Sequence, residues 1–451
     1  MASNTMDLTQ GKPIRQILRF SAPLVLGTLF QQLYSFVDTV MVGRILGQDA
    51  LAAVGATYAL HFLVLGFVQG ACVGFGIPLA KAFGAKDPDE FKRYFWNGGW
   101  ICAAMAVALT AATVLLADRL LAVMKTPADI FAGSSAYVRV IFLGIPASIL
   151  YNFCAGALRA AGDSKHPTCF LLLSSCLNIA LDYVLLAVIP LGVAGAALAT
   201  VLSQLASGLL NLFWLGKKTD LLVGSAGCRR ASGGHIRHLC VLGFPMGFEY
   251  SISALGAVVM QGAINALGSV AVAGQTAGEK IRQMFTLPME SVGMAMATYA
   301  GQNDGANRPD RIKEGIKAGL TIQWTYCVLA WVVIFFGKGA FTTLVLGQDA
   351  PEAAAYSVQY LGIISCLFCI HGALMVMRNT LQGMGYSFHA VLSGVGELLG
   401  RTLGGGLSAV FGFVGICFAN PLAWALALAY CTVLVGHYLK KRLAESPETN
   451  P

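Results

Sequence analysis

The sequence predicts an all-α integral membrane protein with twelve transmembrane helices in two pseudo-symmetric six-helix bundles. Composition is the first reason: 56% of the 451 residues are hydrophobic and only 12% are charged, whereas a soluble chain carries ~25% charged residues. The second reason is a series of long apolar runs, and the third is an internal repeat of the first half in the second. A mean hydropathy of +0.68 agrees with a bilayer environment.

The apolar runs define the predicted spans. A helix that crosses a bilayer needs ~20 predominantly apolar residues, and twelve stretches meet this requirement. They are 15–42, 51–80, 95–117, 135–160, 167–189, 192–215, 238–266, 272–301, 316–337, 355–381, 388–411 and 414–438. The polar segments between them are too short for a soluble catalytic domain.

Basic residues in the loops predict the orientation. Loops after even-numbered spans carry most of them, for example Lys86 and Arg93 after span 2 and Arg308 and Arg311 after span 8. By the positive-inside rule both termini are cytoplasmic, and we expect a multi-pass protein of the bacterial inner (plasma) membrane. The net charge of +8 is scattered over short loops, so it does not predict a nucleic-acid partner.

The two halves of the chain resemble each other at a constant spacing. Four pairs of segments match at offsets between 221 and 223 residues: FSAPL with LGFPM, Leu46-Gly47 with Leu267-Gly268, GAKDPD with GANRPD, and LRAAGDS with LQGMGYS. Six spans per repeat give both halves the same orientation, an arrangement found in alternating-access transporters. The predicted domains are an N-terminal lobe (1–216), a cytoplasmic linker (217–237), a C-terminal lobe (238–440) and a cytoplasmic tail (441–451).

Acidic side chains inside the apolar runs are the candidate functional groups. Asp38 lies in span 1 and Asp182 in span 5; a charge at mid-membrane costs at least ~2.5–3.5 kcal/mol, so such residues usually face a cavity or another helix. Asn178 and Asp182 are four residues apart and share one helix face. Alternatively, Asp38 lies near a helix end beside Arg44 and water, and the pair on span 5 forms a structural interhelical hydrogen bond.

Several segments together carry a resemblance to a known family. QQLYSFVDTVMVGR with LGQDALAAVG, ALRAAGDSKHP, SSCLNIALDYVLL and ATYAGQNDGANRPDR resemble the multidrug and toxic compound extrusion (MATE) transporters of the DinF-like bacterial and archaeal kind. The resemblance covers essentially the whole chain. It implies a secondary active antiporter, not an enzyme, that exports amphipathic or cationic compounds in exchange for Na⁺ or H⁺ by alternating access, without a cofactor.

The resemblance also implies a cation site in the N-terminal half. Its positions here are Asp38, Asn178, Asp182 and Thr200. Carboxylate, amide and hydroxyl oxygens suit a hard cation such as Na⁺, for which Asp38, Asn178 and Asp182 would be metal ligands. Desolvation and like-charge repulsion between two acids would equally favour a bound proton, so the residues leave Na⁺ and H⁺ open. Pro23 removes a backbone hydrogen bond within span 1 and predicts a hinge there.

Other polar and methionine residues within the spans have weaker signals. Candidates for substrate binding or a second proton site are Glu249, Gln31, Gln32, Met260 and Met294. Polar contacts between helices explain the glutamines equally well, and packing is the commoner role of methionines. Two further acids have a base within reach on the same helix, Glu397 with Arg401 and Glu279 with Arg282, and we expect mutual neutralisation of each pair.

Two other functions compete with drug export. A lipid-linked oligosaccharide flippase of the same superfamily is the nearer alternative, although it would be expected to have a more cationic cavity and often fourteen spans. A membrane-embedded lipid-modifying enzyme is the other, but the seven histidines are scattered and there is no GxSxG, HExxH or phosphate-loop motif. The expected partners are therefore small organic molecules such as drugs and cationic dyes, and the lipid bilayer. We expect a monomer.

Overall fold

The computed structural model describes residues 6–124, 126–218, 226–348 and 350–445, and these residues form helices joined by short turns. The helices are α1 Pro13–Leu46, α2 Gln48–Ala56, α3 Tyr58–Gly84, α4 Pro88–Val123, α5 Ala128–Leu143, α6 Ile145–Ala160, α7 Lys165–Tyr183, α8 Val193–Lys218, α9 Ala226–Arg229, α10 Gly233–Asn265, α11 Ser269–Gly305, α12 Pro309–Leu346, α13 Pro351–Cys366, α14 Phe368–Gly383, α15 Ser387–Phe411 and α16 Phe413–Glu445. A π-helical turn, Val184–Val188, continues α7. Of the predicted linker and tail, residues 219–225 and 446–451 lie outside the described residues.

The chain divides into two compact units. Unit 1 contains Met1–Asp7 and Leu26–Tyr250, and unit 2 contains Leu8–Val25 and Ser251–Pro451. The first span of each repeat therefore changes unit along its length: α1 passes from unit 2 to unit 1, and α10 passes from unit 1 to unit 2. Pro23 and Pro245 each lie shortly before the residue at which this change occurs.

Glycines explain why the first part of α10 belongs to unit 1. A Cβ atom on Gly74 of α3 would lie 2.5 Å from the Cα of Gly243, and one on Gly70 would lie 2.4 Å from the carbonyl oxygen of Met246. Real Cβ atoms do not approach backbone so closely, so α3 and α10 are in backbone contact. Small residues allow such close approach between helices in a membrane, where hydrophobicity gives no advantage to helix association.

Matching turns in the two halves give the sequence repeat a structural counterpart. The two described non-glycine residues with positive φ, Lys86 (58°) and Asn307 (53°), occupy the same place in GAKDPD and GANRPD. Gly47 and Gly268 form another such pair, with φ of 91° and 95°. Each pair lies 221 residues apart, so these sequence matches mark turns of the same backbone conformation.

Spans 4 and 10 are broken at equivalent places. The α5–α6 pair bends by 44° at Gly144, and the α13–α14 pair bends by 52° at Leu367. A side chain does not fit at Gly144, where a Cβ would lie 2.2 Å from the side chain of Val201. Counted with each bent pair as one span, up to nine of the described helical segments are long and apolar enough to cross a membrane.

The remaining three predicted spans are α1, α11 and α15. These helices are long enough to span a bilayer but carry the charged residues singled out above, namely Asp38 on α1, Glu279 and Arg282 on α11, and Glu397 and Arg401 on α15. Large apolar side chains are exposed on many other helices, for example Leu115, Phe336 and Leu344 at 80% or more. An apolar surface of this kind fits contact with lipid. The molecule is a multi-pass membrane protein.

A buried clamp in unit 2 holds the segment that leads into α1. Leu8 is fully buried; its N–H donates to Gln302 Oε1 (3.0 Å), and its carbonyl accepts from Asn303 Nδ2 (3.2 Å). Arg311 on α12 donates to the carbonyls of Leu8 (3.4 Å) and Gly11 (2.9 Å) and to Asn303 Oδ1 (3.1 Å). The clamp therefore fixes the chain just before the first turn of α1.

Replacing Arg311 by alanine is expected to destabilise the protein by about 3 kcal/mol. The substitution removes charge-assisted hydrogen bonds, each contributing ~1.5–3 kcal/mol, and leaves buried carbonyls without a donor. Arg308→Ala is the control, because Arg308 forms a half-exposed ion pair with Asp310 and such pairs contribute at most ~1 kcal/mol. Thermal unfolding of the purified protein in detergent compares the two. An equal, small loss in both variants would contradict the clamp.

Candidate functional site

The four residues of the predicted cation site all belong to unit 1. Asp38 lies on α1, Asn178 and Asp182 lie on α7, and Thr200 lies on α8. A buried hydrogen bond of 2.7 Å from Ser174 Oγ to the carbonyl of Ser203 holds α7 against α8. Asn178 and Asp182 are 1% and 0% exposed, so α7 turns both polar groups away from the surface.

Asp38 and Asp182 are brought together. Their carboxyl groups lie close enough for direct contact. Two ionised carboxylates are both acceptors, so this contact becomes a hydrogen bond only when one of them holds a proton. The pair can therefore exchange a proton for a metal cation without a change in its own residues.

The buried polar atoms around this pair have unused bonding capacity. Asp38 Oδ1, both carboxylate oxygens of Asp182 and both amide atoms of Asn178 are buried and accept or donate no hydrogen bond within the described residues. Buried polar groups without a partner cost ~1–3 kcal/mol each, more when charged, and they need an explanation such as an ion or water. This donor set of carboxylate and amide oxygens fits Na⁺ or a shared proton.

Thr200 contributes less directly. Its Oγ1 donates to the carbonyl of Ala196 on its own helix (3.2 Å) and makes no hydrogen bond with either acid in the part of the chain described. The lone pairs of that oxygen can still accept a bond or coordinate a cation, because the hydroxyl uses only its proton in the helix.

A π-helical turn lies directly beyond the two α7 residues. It covers Val184–Val188, and the N–H of Ile189 bonds to the carbonyl of Val184 at 2.7 Å. Gly195 near the start of α8 packs so closely on this turn that a Cβ would lie 2.8 Å from the carbonyl oxygen of Leu185. Single π-turns inside helices are frequent at functional sites. The equivalent helix of the second repeat, α15, is α-helical throughout Ser387–Phe411.

Two tyrosines near the acids were not predicted from the sequence. Tyr34 on α1 and Tyr137 on α5 both lie within electrostatic range of Asp38 and Asp182. Tyr34 had a usable signal, because it precedes Asp38 by four residues and shares its helix face. Tyr137, which is 6% exposed, had none, since only the packing of α5 brings it to the site.

The predicted substrate or second-proton residues are distributed over both units. Gln31, Gln32 and Glu249 belong to unit 1, and Met260 and Met294 belong to unit 2. Glu249 is 6% exposed, whereas Gln31 is exposed. Met260 packs in the apolar core of unit 2, which favours a packing role for this residue. A transport role for these five residues remains a prediction.

A family model matches most of the chain. The MatE model matches residues 23–184 and 245–399, one segment in each half. The chain belongs to the MATE family. This membership confirms the resemblance found in the sequence, and it identifies a transporter and not an enzyme.

Individual relatives agree over nearly their whole length. The chain is 28% identical over 380 residues to the "Probable multidrug resistance protein YpnP" of Bacillus subtilis, covering 84% of each chain. It is 25% identical over 437 residues to the "Multidrug export protein MepA" of Staphylococcus aureus, covering 95% of this chain and 94% of that protein. A solved structure of a MOP superfamily transporter from Pyrococcus furiosus superposes with a TM-score of 0.90 at 20% identity, covering 98% and 99% of the two chains. The predicted MATE-type fold is therefore confirmed.

Proposed function

We propose that this protein is a secondary active multidrug antiporter that exports amphipathic, often cationic, compounds in exchange for Na⁺ or H⁺. The observation that carries the proposal is the contact between Asp38 and Asp182 in unit 1, surrounded by buried oxygens without hydrogen-bond donors. Relatives named for multidrug resistance and multidrug export support the substrate class. The loop charges support cytoplasmic termini in a bacterial inner membrane.

The pair of acids provides the coupling step. With no bound cation, two adjacent carboxylates repel each other in a poorly solvated place, and this state is costly. Binding Na⁺ or a proton removes the repulsion and draws Asp38 on α1 towards Asn178 and Asp182 on α7. The free energy of cation binding is thereby converted into a preferred position of α1.

Pro23 allows α1 to respond to this change. Proline removes one helical hydrogen bond and weakens the helix against bending. The clamp on Leu8 and Gly11 holds the start of α1, and Asp38 lies fifteen residues beyond Pro23. A bend at Pro23 therefore moves the part of α1 that carries Asp38 while its first turns stay fixed, and this bend alters the drug-binding surface.

Ion exchange supplies sufficient energy for export. A hundredfold gradient of drug costs ~2.7 kcal/mol, at ~1.4 kcal/mol per factor of ten. Moving a monovalent cation outwards against ~100 mV costs a further ~2.3 kcal/mol. One cation entering cancels the voltage term, and its concentration gradient, or a second ion, supplies the remainder.

Gradient-driven export in proteoliposomes tests the proposal. Purified protein is reconstituted, and efflux of a fluorescent cationic dye is followed after an inward Na⁺ gradient or an inward proton gradient is imposed. We expect one gradient to accelerate export at least tenfold over no gradient, and this gradient identifies the coupling ion. Export that is equally fast with both gradients absent would rule out antiport.

A further inference from the structure

Unit 2 contains a continuous network of buried charges on five helices. Arg378 on α14 donates to Glu397 Oε1 (2.7 Å), and Arg401 on α15 donates to Glu397 Oε2 (3.2 Å). Arg401 also donates from Nε to Asn420 Oδ1 on α16 (3.2 Å). From Asn420 the network continues to Tyr360 on α13 (3.4 Å), whose hydroxyl donates to Glu279 on α11 (2.6 Å).

Arg401 is the member of this network that joins three particular helices. Besides Glu397 on its own helix and Asn420 on α16, its Nη1 donates to the carbonyl of Ser253 on α10 (3.2 Å). Gly256 makes room for the side chain, because a Cβ there would lie 2.8 Å from Arg401 Nη1. The guanidinium thus lies among α10, α15 and α16, and its exposed fraction is 14%.

The sequence repeat gives these three helices their counterparts. At offsets between 221 and 223 residues, α10 corresponds to α1, α15 to α7 and α16 to α8. The helices α1, α7 and α8 carry Asp38, Asn178, Asp182 and Thr200. In α10 and α15 the positions equivalent to the three site residues of the first two helices are Met260, Gly400 and Gly404, which have no polar side chain.

We propose that the Arg401 guanidinium takes, in unit 2, the structural place that an exchangeable cation takes among the equivalent helices of unit 1. The comparison with unit 1 rests on the proposed function. Unit 2 then holds α10, α15 and α16 together with a cation that is covalently attached and cannot leave. Unit 1 must acquire its cation from solution, so only unit 1 responds to the ion gradient.

The ligands of Arg401 match those expected of such a tethered cation. They are a carboxylate, a side-chain amide oxygen and a backbone carbonyl, all of them oxygen acceptors and each on a different helix. A second arginine, Arg378, balances the same carboxylate from α14 but makes no printed bond to α10 or α16. Removing either arginine therefore leaves Glu397 with one partner, but only removal of Arg401 deprives α10 and α16 of a cation.

This difference gives a rescue experiment on the purified full-length protein in detergent. Arg401→Ala deletes the atoms that ethylguanidinium supplies, and ethylurea is its neutral counterpart of similar shape. We expect a lower melting temperature for Arg401→Ala and saturable recovery of most of the loss with millimolar ethylguanidinium. Ethylurea is expected to restore nothing, and Arg378→Ala is expected to gain nothing from either compound.

Charge can be tested separately from the space left by the deletion. Arg401→Lys keeps the positive charge and Arg401→Met keeps only the bulk, so this pair decides the matter if Arg401→Ala is too unstable to purify. We expect the lysine variant to melt above the methionine variant. A methionine variant as stable as wild type, equal rescue by ethylurea, or equal rescue of Arg378→Ala would each overturn the proposal.

The same measurement is independent of transport. When Asp38→Asn and Asp182→Asn are added to Arg401→Ala, the rescue by ethylguanidinium is expected to be unchanged, because it depends on unit 2 alone. A rescue that disappears in this background would contradict the assignment of the guanidinium to unit 2. Failure of antiport itself would appear only in the proteoliposome experiment.

Discussion

Replacing Asp182 by asparagine is expected to abolish ion-driven export while the protein remains folded. Asparagine has nearly the same shape, but it removes one of the two carboxylates that contact each other. A charge-assisted contact contributes ~1.5–3 kcal/mol, so cation affinity is expected to fall by ~10–150-fold. The initial rate of dye export, measured over a range of ion concentrations in proteoliposomes, gives this change directly. Asp38→Asn is expected to behave in the same way.

Asp129→Asn provides the matched control. It makes the same chemical change in unit 1, but Asp129 is exposed in the first turn of α5. We expect wild-type export with an unchanged ion dependence. If Asp182→Asn exported at this same rate and with this same dependence, the pair of acids would have no part in coupling and Glu249 would become the next acid to test.

The second large effect is expected at the contact between α3 and α10. Gly74→Ala would place a Cβ 2.5 Å from the Cα of Gly243 and 2.7 Å from the carbonyl oxygen of Leu242. Backbone cannot rotate away as a flexible side chain can, so the two helices must separate. We expect a loss of about 3 kcal/mol, at the upper end of overpacking costs, seen as lower melting temperature and poor recovery of folded protein.

Gly76→Ala is the control for that substitution. Gly76 lies two residues further along α3, and a Cβ there would meet only the carbonyl oxygen of Gly156 at an ordinary 3.7 Å. Since alanine also favours a helix over glycine by up to ~1 kcal/mol, this variant is expected to be as stable as wild type or slightly more stable. The opposite order of melting temperatures would contradict backbone contact between α3 and α10.

Much of the fold could be predicted because a bilayer imposes simple requirements on sequence. Long apolar runs predict spans, and the repeat predicts two related halves. The change of unit within α1 and α10 could not be predicted, because it depends on tertiary packing such as the glycine contacts at Gly74 and Gly243. The breaks at Gly144 and Leu367 were also missed, since each lies inside one continuous apolar run.

Prediction of the site worked where a residue was unusual for its surroundings. Asp38 and Asp182 stand out because a carboxylate in an apolar run is costly. Tyr137 does not stand out, because a tyrosine in a span is ordinary and its proximity to the acids arises from packing. The π-helical turn after Asp182 has no proline or glycine within VLLAV to indicate it. The network around Arg401 was predicted only as a local pair with Glu397, and its contacts with α10 and α16 required the structure.

Simultaneous measurement of ion and dye movement in the same proteoliposomes tests the central claim most directly. Dye efflux is followed by fluorescence while inward movement of ²²Na⁺, or of protons with an internal pH indicator, is recorded under the gradient that drives export. The account predicts that each dye leaving is matched by a fixed number of entering cations, and that Asp182→Asn abolishes both movements together. Dye export that continues with no accompanying cation entry, or cation-coupled export that persists in Asp182→Asn, would contradict it.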